Sequence, residues 1–460
     1  MKEYSHYAVV PGGKVLFEIK SSTKGMITDT EATPVSVAPK GKKAPIDFQP
    51  WGANNDLPFQ LITNSYANTT VASNLEHNAT MAYGEALAVM KRVLDNGKLK
   101  HVPVLRSDPA AIEIFDFIDN NNLSLLIQEQ IHDQTLLHNS FVELIFNNER
   151  SKIVRMAHKE ASYSRLSVMN EKNGKIEYHG YSAKWKDNKA EEDLIITPLL
   201  DFDVPLYDLK RRRGLVPGPD GKLKKENHPS YVMHIARPSP GRFYYQKAYW
   251  WAIFESGWYD FSCAIPEFKL NLLKNQMVLK YHVQISDTFF PRLFKTEGIT
   301  DDKEQKTRMT QFFKDMEDFL SGKENAGKNL ISYMSYNTTT GKEEHDIIIK
   351  PIESFIKGGE YIEDSEEATN VISNAMGVHP SLQGASPGKN KTINGTEARE
   401  LFNMKQSLMK PLRDLILQPL NVVKAINGWD PDIDFVIPHM QLTTLDKNTG
   451  AEKTTGIKQE

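Results

Sequence analysis

The sequence predicts an α+β fold, in which a mixed first half precedes long helices and a small α/β insert. Apolar residues recur at helical spacing in the stretches 57–82, 109–120 and 122–137. From 140 to 235 the pattern changes to short runs rich in β-branched and aromatic residues, separated by turn-forming residues. Helical spacing dominates again after 240. Separate helical and strand stretches of this kind are typical of the α+β class.

The composition is that of an ordinary soluble protein of 460 residues, long enough for about three domains. Hydrophobic residues make up 40% of the chain and charged residues 25%, which is the usual balance for such proteins. The single cysteine, Cys263, excludes an intramolecular disulfide framework and indicates a reducing compartment or no redox role. The amino terminus lacks the apolar core of a signal peptide, and no stretch has ~18 uninterrupted apolar residues. We therefore expect no metal, no cofactor and no membrane partner.

The net charge of −3 lacks the basic excess of most proteins that grip nucleic acid. A protein past which DNA slides should nevertheless make few phosphate contacts, because each contact adds affinity and friction. The near-neutral charge therefore disfavours tight binding of nucleic acid, and it remains compatible with a protein past which DNA slides. One basic run stands out at 211–225, RRRGLVPGPDGKLKK, around Pro and Gly turn residues. This pattern favours a solvated loop, with contact to nucleic acid or a partner as the alternative.

The first half begins with a segment rich in Lys, Gly, Pro, Ser and Thr, residues 1–50. We expect an extended arm that Phe48 and Trp51 dock onto the rest of the chain. After the first helical stretch, EALAVMKRV predicts a strand. Six further strands are predicted between 140 and 235: FVELIF, KIVRMA, SRLSVM, KIEYHGYS, DLIIT and SYVMHIA.

A long helix is predicted over 243–276, and Pro266 should kink it. Its aromatic residues recur on adjacent faces: Trp250, Trp251, Phe254, Trp258 and Phe261. Aromatic residues at this spacing usually form a core or a subunit interface, and the sequence does not separate these two.

The stretch 277–352 predicts a small α/β insert of strand, helix, strand and strand. The strands are MVLKYHVQI, NLISYMS and HDIIIKPI. Thr300 is the expected helix cap, and Asp301 and Asp302 favour the positive helix end. One apolar stripe marks the helix: Met309, Phe312, Phe313, Met316 and Leu320.

Two more helices follow the insert. One spans about 354–376, and a longer amphipathic helix spans 396–427, where Pro411 and Pro419 should bend it. The tail contains one strand, IDFVIPHMQL, and ends in polar residues.

Two catalytic patterns overlap in the segment between these helices, GVHPSLQGASPGKNKTINGTEARELF. GASPG fits the G-x-S-x-G nucleophile elbow with Ser386 as nucleophile, and Asp434 and His439 follow in the chain order of that hydrolase class. The elbow needs the backbone N–H of the residue after the serine for its oxyanion hole, and Pro387 has none. A hydrolase is therefore an alternative that the sequence disfavours.

The second pattern, GASPGKN, is similar to a phosphate-binding loop. Such a loop needs four residues between its glycines and a Ser or Thr after the lysine. Here the glycines are closer, and Asn390 follows Lys389. The stretch from Gly377 to Gly395 therefore predicts a long loop between two helices and not a nucleotide site, and a loop of this length indicates either a function or disorder.

The order of motifs over roughly 230–425 resembles the portal proteins of tailed bacteriophages, with weaker agreement before it. The stretch MHIARPSPGRFYYQKAYWWA precedes a long helix, and LKNQMVLKYHV and GKENAGKNLISYMS flank the next one. ATNVISNAMGVHPSLQG, a polar loop, TEARELF and the proline-containing MKPLRDLILQPLN complete the order. The C-terminus departs from the family because it is short for a large helical crown.

The resemblance implies a portal-like fold and a ring, typically of twelve copies, at one vertex of an icosahedral capsid. The implied parts are an N-terminal arm (1–50), an α+β wing (51–242), a stem helix (243–276), an α/β clip (277–352), a second stem helix (353–377), a tunnel loop (378–395), a kinked wing helix (396–427) and a C-terminal strand and tail with a small or absent crown (428–460).

The family also implies a structural role and not an enzymatic one. Double-stranded DNA would pass through the ring during packaging and ejection without being read for sequence. The clip would bind the large terminase subunit and later a head-to-tail adaptor. Major capsid and scaffolding proteins would be further partners, and the protein would be found in the host cytoplasm during assembly and then in the virion.

The tunnel loop would carry the residues that face DNA: Gln383, Ser386, Lys389, Asn390, Lys391 and Thr392. Its hinges would be Gly377, Gly384, Gly388 and Gly395, since glycine changes conformation cheaply. In a ring, Lys389 and Lys391 would form collars of positive charge facing phosphates. A loop packed away from the channel is the alternative.

Two other classes of function compete with a portal. An enzyme would need a site, but His132, Glu143 and His345 are scattered and show no metal or triad spacing. A scaffold that binds nucleic acid as a monomer or dimer is the other class, and the near-neutral charge disfavours it.

Overall fold

The computed structural model describes residues 6–9, 16–19, 34–37, 46–187, 189–218, 221–276, 281–321, 334–337, 342–351, 361–383, 395–440 and 442. The chain divides into two compact units. The first consists of Met1–Cys263 and Ile362–Glu460, and the second is Ala264–Tyr361. The predicted α+β class is confirmed, since helices and small antiparallel sheets occur together. No helix in the described ranges is long and apolar enough to cross a membrane.

The sequence predicts an extended arm over residues 1–50, whereas the described parts of this segment pair with one another as strands. Its described parts form two antiparallel strand pairs, β1 (His6–Val9) with β2 (Leu16–Ile19), and β3 (Val35–Val37) with β4 (Ile46–Phe48). Strand pairing satisfies backbone groups that an isolated arm would leave to water. Docking through the two aromatic residues is confirmed, because Phe48 is 1% exposed and Trp51 is 2% exposed.

Four helices and a hairpin follow. They are α1 (Leu57–Ala67), α2 (Thr69–Tyr83), α3 (Ile112–Asn120) and α4 (Leu123–Leu137), with β5 (Ala88–Asp95) and β6 (Lys98–Pro103) between α2 and α3. The predicted single helix over 57–82 is divided at Asn68. The Oδ1 atom of Asn68 accepts hydrogen bonds from the backbone N–H groups of Thr70 and Val71, at 3.0 and 3.1 Å. This N-cap starts a new helix one residue after the first one ends.

All six strands predicted between 140 and 235 are present. They are β7 (Asn139–Phe146), β8 (Ile153–Lys159), β9 (Ser164–Leu166), β10 (Tyr178–Tyr181), β11 (Ile195–Pro198) and β12 (Ser230–Ala236). One antiparallel sheet has the order β12-β7-β8, with Met233 opposite Val142, and a second has the order β11-β10-β9. A third sheet joins β6, β5 and the C-terminal β17 (Ile433–Val436).

The basic run at 211–225 does not begin as a loop. Arg211 and Arg212 belong to the last turn of α5 (Pro205–Arg212), and both form ion pairs with the buried Asp208, at 2.7 and 2.8 Å. These two cations are therefore used within the chain, whereas the lysines further along the run are exposed.

The helix predicted over 243–276 starts later than expected. Tyr249–Trp251 forms a 3-10 turn and Ala252–Glu255 a short helix, α6, before α7 spans Trp258–Gln276. Gly257 interrupts the helical path because its φ of +81° lies in the left-handed region. Pro266 lies inside α7.

The aromatic residues before α7 are part of the core of the first unit. Trp250, Trp251 and Phe254 are buried, and Trp258 packs against the same cluster. Each buried indole N–H donates to a backbone carbonyl at the end of α4: Trp250 to Thr135, at 3.2 Å, and Trp251 to Leu136, at 3.1 Å. Of the two roles that the sequence left open, these contacts support the intrachain core.

The second unit contains six described elements after the end of α7. They are β13 (Tyr281–Ile285), α8 (Phe289–Glu297), α9 (Asp302–Ser321), β14 (Met334–Asn337), β15 (Lys342–His345) and β16 (Ile347–Pro351). Strand β13 pairs with β16, and β14 pairs with β15, both antiparallel. The helix α8 was not predicted. Its Phe290 packs edge to face against Phe312 of α9, and Phe289 packs against the same ring at a tilt of 52°.

The cap of α9 differs from the prediction by one residue. Oδ2 of Asp301 accepts a hydrogen bond from the backbone N–H of Glu304, at 3.3 Å, so Asp301 is the N-cap in place of Thr300. A carboxylate at this position also interacts favourably with the helix dipole.

The first unit is completed by four helices: α10 (Ile362–Ala375), α11 (Gly395–Leu408), α12 (Lys410–Ile416) and α13 (Gln418–Asn427). The predicted kinked helix over 396–427 is thus three consecutive helices. Pro411 and Pro419 each lie in the first turn of the next helix, where the missing N–H costs nothing. The main core lies where α4, α12 and α13 pack on the β12-β7-β8 sheet.

Candidate functional site

The end of α10 is the point where the chain enters the predicted tunnel loop. Gly377 has a φ of +65°, in the left-handed region. Its N–H donates to the carbonyl of Asn374, at 3.0 Å, and the N–H of Val378 donates to the carbonyl of Ser373, at 2.8 Å. These two bonds form a Schellman motif, in which glycine at this position avoids backbone strain. Val378 is 1% exposed, so the first loop residue is fixed in the core.

Two asparagines of α2 hold the same helix end. Nδ2 of Asn78 donates to the carbonyl of Met376, at 3.0 Å, and Nδ2 of Asn74 donates to Oγ of Ser373, at 3.3 Å. Asn74 and Ser373 are fully buried. The last turn of a helix leaves carbonyl groups without intrahelical partners, and α2 supplies one of the missing donors.

The lysine of α11 supplies another donor. Lys405 is only 6% exposed, and its Nζ donates to the carbonyl oxygen of Gly377, at 2.6 Å. Burial, together with the positive charge of Arg237, lowers the pKa of Lys405 to about 8. Burial and the nearby Lys405 also lower the pKa of His77. The basic groups of Arg237 and His77 therefore lie within electrostatic range of the Lys405 ammonium.

The remaining predicted loop residues divide into two groups. Pro380–Gln383 forms a 3-10 turn that lies next to α10 and α11, and Gly395 is the first residue of α11. The others lie outside the described residues: Gly384, Ser386, Gly388, Lys389, Asn390, Lys391 and Thr392. The side chain of Gln383 also lies outside them. The structure thus places the start of the predicted loop against α11, the helix that follows the loop.

The hydrolase alternative places Asp434 beside His439, and the structure does not. Oδ2 of Asp434 lies 3.0 Å from Nε of Arg92 and 3.2 Å from Nε2 of His101. Nδ1 of His439 lies 2.7 Å from Nη1 of Arg413. In a catalytic triad the acid accepts a hydrogen bond from this ring nitrogen. Among the described residues, no group of three His, Cys, Asp or Glu side chains could hold a metal ion either.

Sequence reasoning did not find Lys405, Asn78 or the buried Arg413. Arg413 donates to the backbone carbonyls of Met81 and Ala82, at 2.7 and 2.9 Å, and so joins α12 to the end of α2. A signal for Lys405 was present, because it follows Leu401 by four residues and precedes Leu408 by three. A lysine in the apolar stripe of a helix either extends its charge to solvent or has a buried partner.

Comparison with known proteins identifies similar structures but no similar family. No protein-family model matches the chain, and no curated protein matches it. A chain of a solved structure described as "Neck of empty GTA particle computed with C6 symmetry" aligns with a TM-score of 0.52. A chain of "Neck of native GTA particle computed with C12 symmetry" aligns with a TM-score of 0.50. Both are 14% identical in sequence, and each alignment covers 88% of this chain and 86% of the other.

A third similar chain comes from "Virion of native gene transfer agent (GTA) particle", with a TM-score of 0.49, 14% identity and 82% of each chain covered. At this level of identity, the alignments with the two neck chains show that the fold is shared. They show it over nearly the whole length of the chain, which excludes a similarity confined to one common motif.

Proposed function

We propose that this chain is the portal subunit of a phage-like particle, forming the ring through which DNA is packaged and released. The observation that carries the proposal is the fold shared with chains of particle necks over 88% of the sequence. The order of motifs that resembles tailed-phage portal proteins is independent support, because that resemblance rests on the sequence alone. The proposal covers a structural protein and not an enzyme.

A ring of identical copies is the natural assembly for such a subunit. One of the similar neck structures was computed with C12 symmetry and the other with C6 symmetry, both of which are compatible with twelve copies. A ring requires two different, complementary surfaces on each subunit. Because Trp250, Trp251 and Phe254 are used inside the chain, we expect other exposed apolar residues to form those surfaces.

The segment 378–395 is proposed to be the tunnel loop. It follows α10 from Val378 and ends at Gly395, the first residue of α11, the helix whose Lys405 donates to the Gly377 carbonyl. Lys389 and Lys391 lie in this segment, and twelve-fold symmetry would multiply them into rings of positive charge. Such rings can position DNA phosphates without reading bases.

The insert at 277–352, which lies within the second unit (Ala264–Tyr361), is proposed to be the clip. Helix α9 is polar and largely exposed, and the contacts between Phe289, Phe290 and Phe312 fix it against α8. A small unit with its own aromatic cluster can keep its shape while it exchanges partners. We assign to it the binding of the large terminase subunit and then of a head-to-tail adaptor.

Electron microscopy of the purified protein tests the proposal. We expect class averages of a closed ring with a central channel and with about twelve copies. Compact monomers or dimers that bind DNA with a steep salt dependence would support the nucleic-acid scaffold instead. Reconstitution with capsid and scaffolding proteins should place the ring at a single vertex.

A further inference from the structure

The buried ammonium of Lys405 is an expensive way to fill a core position. A desolvated charge costs several kcal/mol unless hydrogen bonds or opposite charges compensate for it. Burial and the positive charge of Arg237 both lower the pKa of Lys405, so both disfavour its charged form. A methionine would occupy nearly the same volume without this cost. The hydrogen bond to the Gly377 carbonyl is therefore the interaction that distinguishes lysine from an apolar residue here.

The carbonyl that accepts this bond belongs to a residue whose backbone is already fixed. Gly377 and Val378 close the Schellman motif at the end of α10, and Asn78 holds the carbonyl of the preceding Met376. Lys405 lies on α11, 28 residues further along the chain. The hydrogen bond from Lys405 to the Gly377 carbonyl thus joins α11 to the end of α10. The backbone connects these two helices only through the proposed tunnel loop.

We propose that Lys405 is a positioning residue, which ties α11 to the end of α10 so that both ends of the proposed tunnel loop move as one body. Its functional meaning rests on the proposed portal function, whereas the contact itself does not. Asn78 assists by holding the helix end on α2, and Gly377 presents the carbonyl. A displacement of either helix would then be transmitted to both ends of the loop.

Hydrogen–deuterium exchange of Lys405→Met tests the proposal in the full-length protein. We expect the amides of Gly377 and Val378 to exchange about ten-fold faster or more than in the wild type, which is the effect expected for losing a hydrogen bond to a charged group. Lys410→Met is the matched control, because Lys410 is exposed and its ion pair is with Asp414 on its own helix. Unchanged exchange in a folded Lys405→Met protein would overturn the proposal.

A measurement on the wild type covers the case in which Lys405→Met does not fold. Labelling with an amine-reactive reagent, followed by mass spectrometry, should modify Lys410 readily and leave Lys405 largely unmodified. Equal rates of modification at the two lysines would contradict the buried contact.

Ring assembly and DNA retention separate the two proposals. The ring mass of Lys405→Met should equal that of the wild type, while particles assembled with it should retain less DNA than particles carrying Lys410→Met. Normal DNA retention by particles carrying Lys405→Met would refute the positioning role of Lys405 without contradicting the proposed portal function. Absence of rings in the wild type would remove the portal function and leave the exchange result interpretable.

Discussion

Phe48 lies directly over Gly180, and a Cβ atom at position 180 would be only 2.5 Å from Cε1 of the phenyl ring. Gly180 belongs to β10, and the same ring packs on Trp185, with ring centroids 5.4 Å apart. The docking of the N-terminal segment therefore depends on the absence of one side chain.

We predict that Gly180→Ala displaces Phe48 and destabilises the first unit by about 1–3 kcal/mol, the usual effect of overpacking. Urea unfolding at pH 7 measures the loss. Gly395→Ala is the control, since its Cβ would meet nothing within 4 Å and its φ is not positive. Equal stability of the two variants would show that the ring of Phe48 moves without cost.

Acid should destabilise the first unit through buried histidines. Burial lowers the pKa of His179 and of His234 to about 3, and both rings contact Phe141. In the unfolded chain these groups take up protons below about pH 6.5, whereas in the folded chain they do not until about pH 3. The unfolded state therefore binds more protons in this window, and stability falls as pH falls through it.

The variant His179→Leu tests this account. Each such histidine costs about 2 kcal/mol at pH 5, so the variant should lose less stability between pH 7 and pH 5 than the wild type by about that amount. Urea unfolding at the two pH values measures the difference. Identical pH dependence in the two proteins would show that protonation of His179 does not accompany unfolding.

The proposed tunnel loop yields a prediction about charge. Lys389→Glu combined with Lys391→Glu should leave ring assembly unchanged and impair DNA packaging, because the collars would repel phosphates. DNA content per particle measures the effect, and Lys410→Glu serves as the control for a lysine-to-glutamate change outside the loop. Normal packaging with the double variant would favour a loop that is packed away from the channel.

The described neighbours of His439 lead to a prediction about activity. Nδ1 of His439 lies beside the guanidinium of Arg413 and the backbone carbonyl of Gln406, and neither of these groups is the carboxylate that a catalytic triad requires. Purified wild-type protein should show no ester hydrolysis above the rate of the Ser386→Ala variant. Hydrolysis that is abolished by Ser386→Ala would restore the hydrolase alternative.

The strands between 140 and 235 could be predicted because each short apolar run is bounded by residues that favour turns. Helix α8 could not, since its nine residues include Pro291 and too few turns to show a period. The start of α7 was misplaced because WAIFESGWYDF keeps helical apolar spacing through Gly257, whose positive φ only the structure reveals. The cap of α9 was missed because Thr300 and Asp301 are adjacent and both can cap.

The sequence predicts the candidate site as a loop between two helices. It does not predict the contacts of Lys405 and Asn78 that hold the start of this loop. Gly377 could be recognised from its position after a helical pattern, as glycine is common there. Lys405 could not be assigned to the Gly377 carbonyl, because that contact joins residues 28 positions apart and depends on how α10 and α11 pack. Propensity and periodicity describe elements, whereas this contact is a property of tertiary packing.

Native mass spectrometry of the purified wild-type protein, over a range of concentrations, tests the central claim most directly. The portal account predicts a species of about twelve times 52.3 kDa, and variants at Lys389, Lys391 and Lys405 should give the same mass. A mass of one or two chains at every concentration, with no larger closed species, would contradict the account.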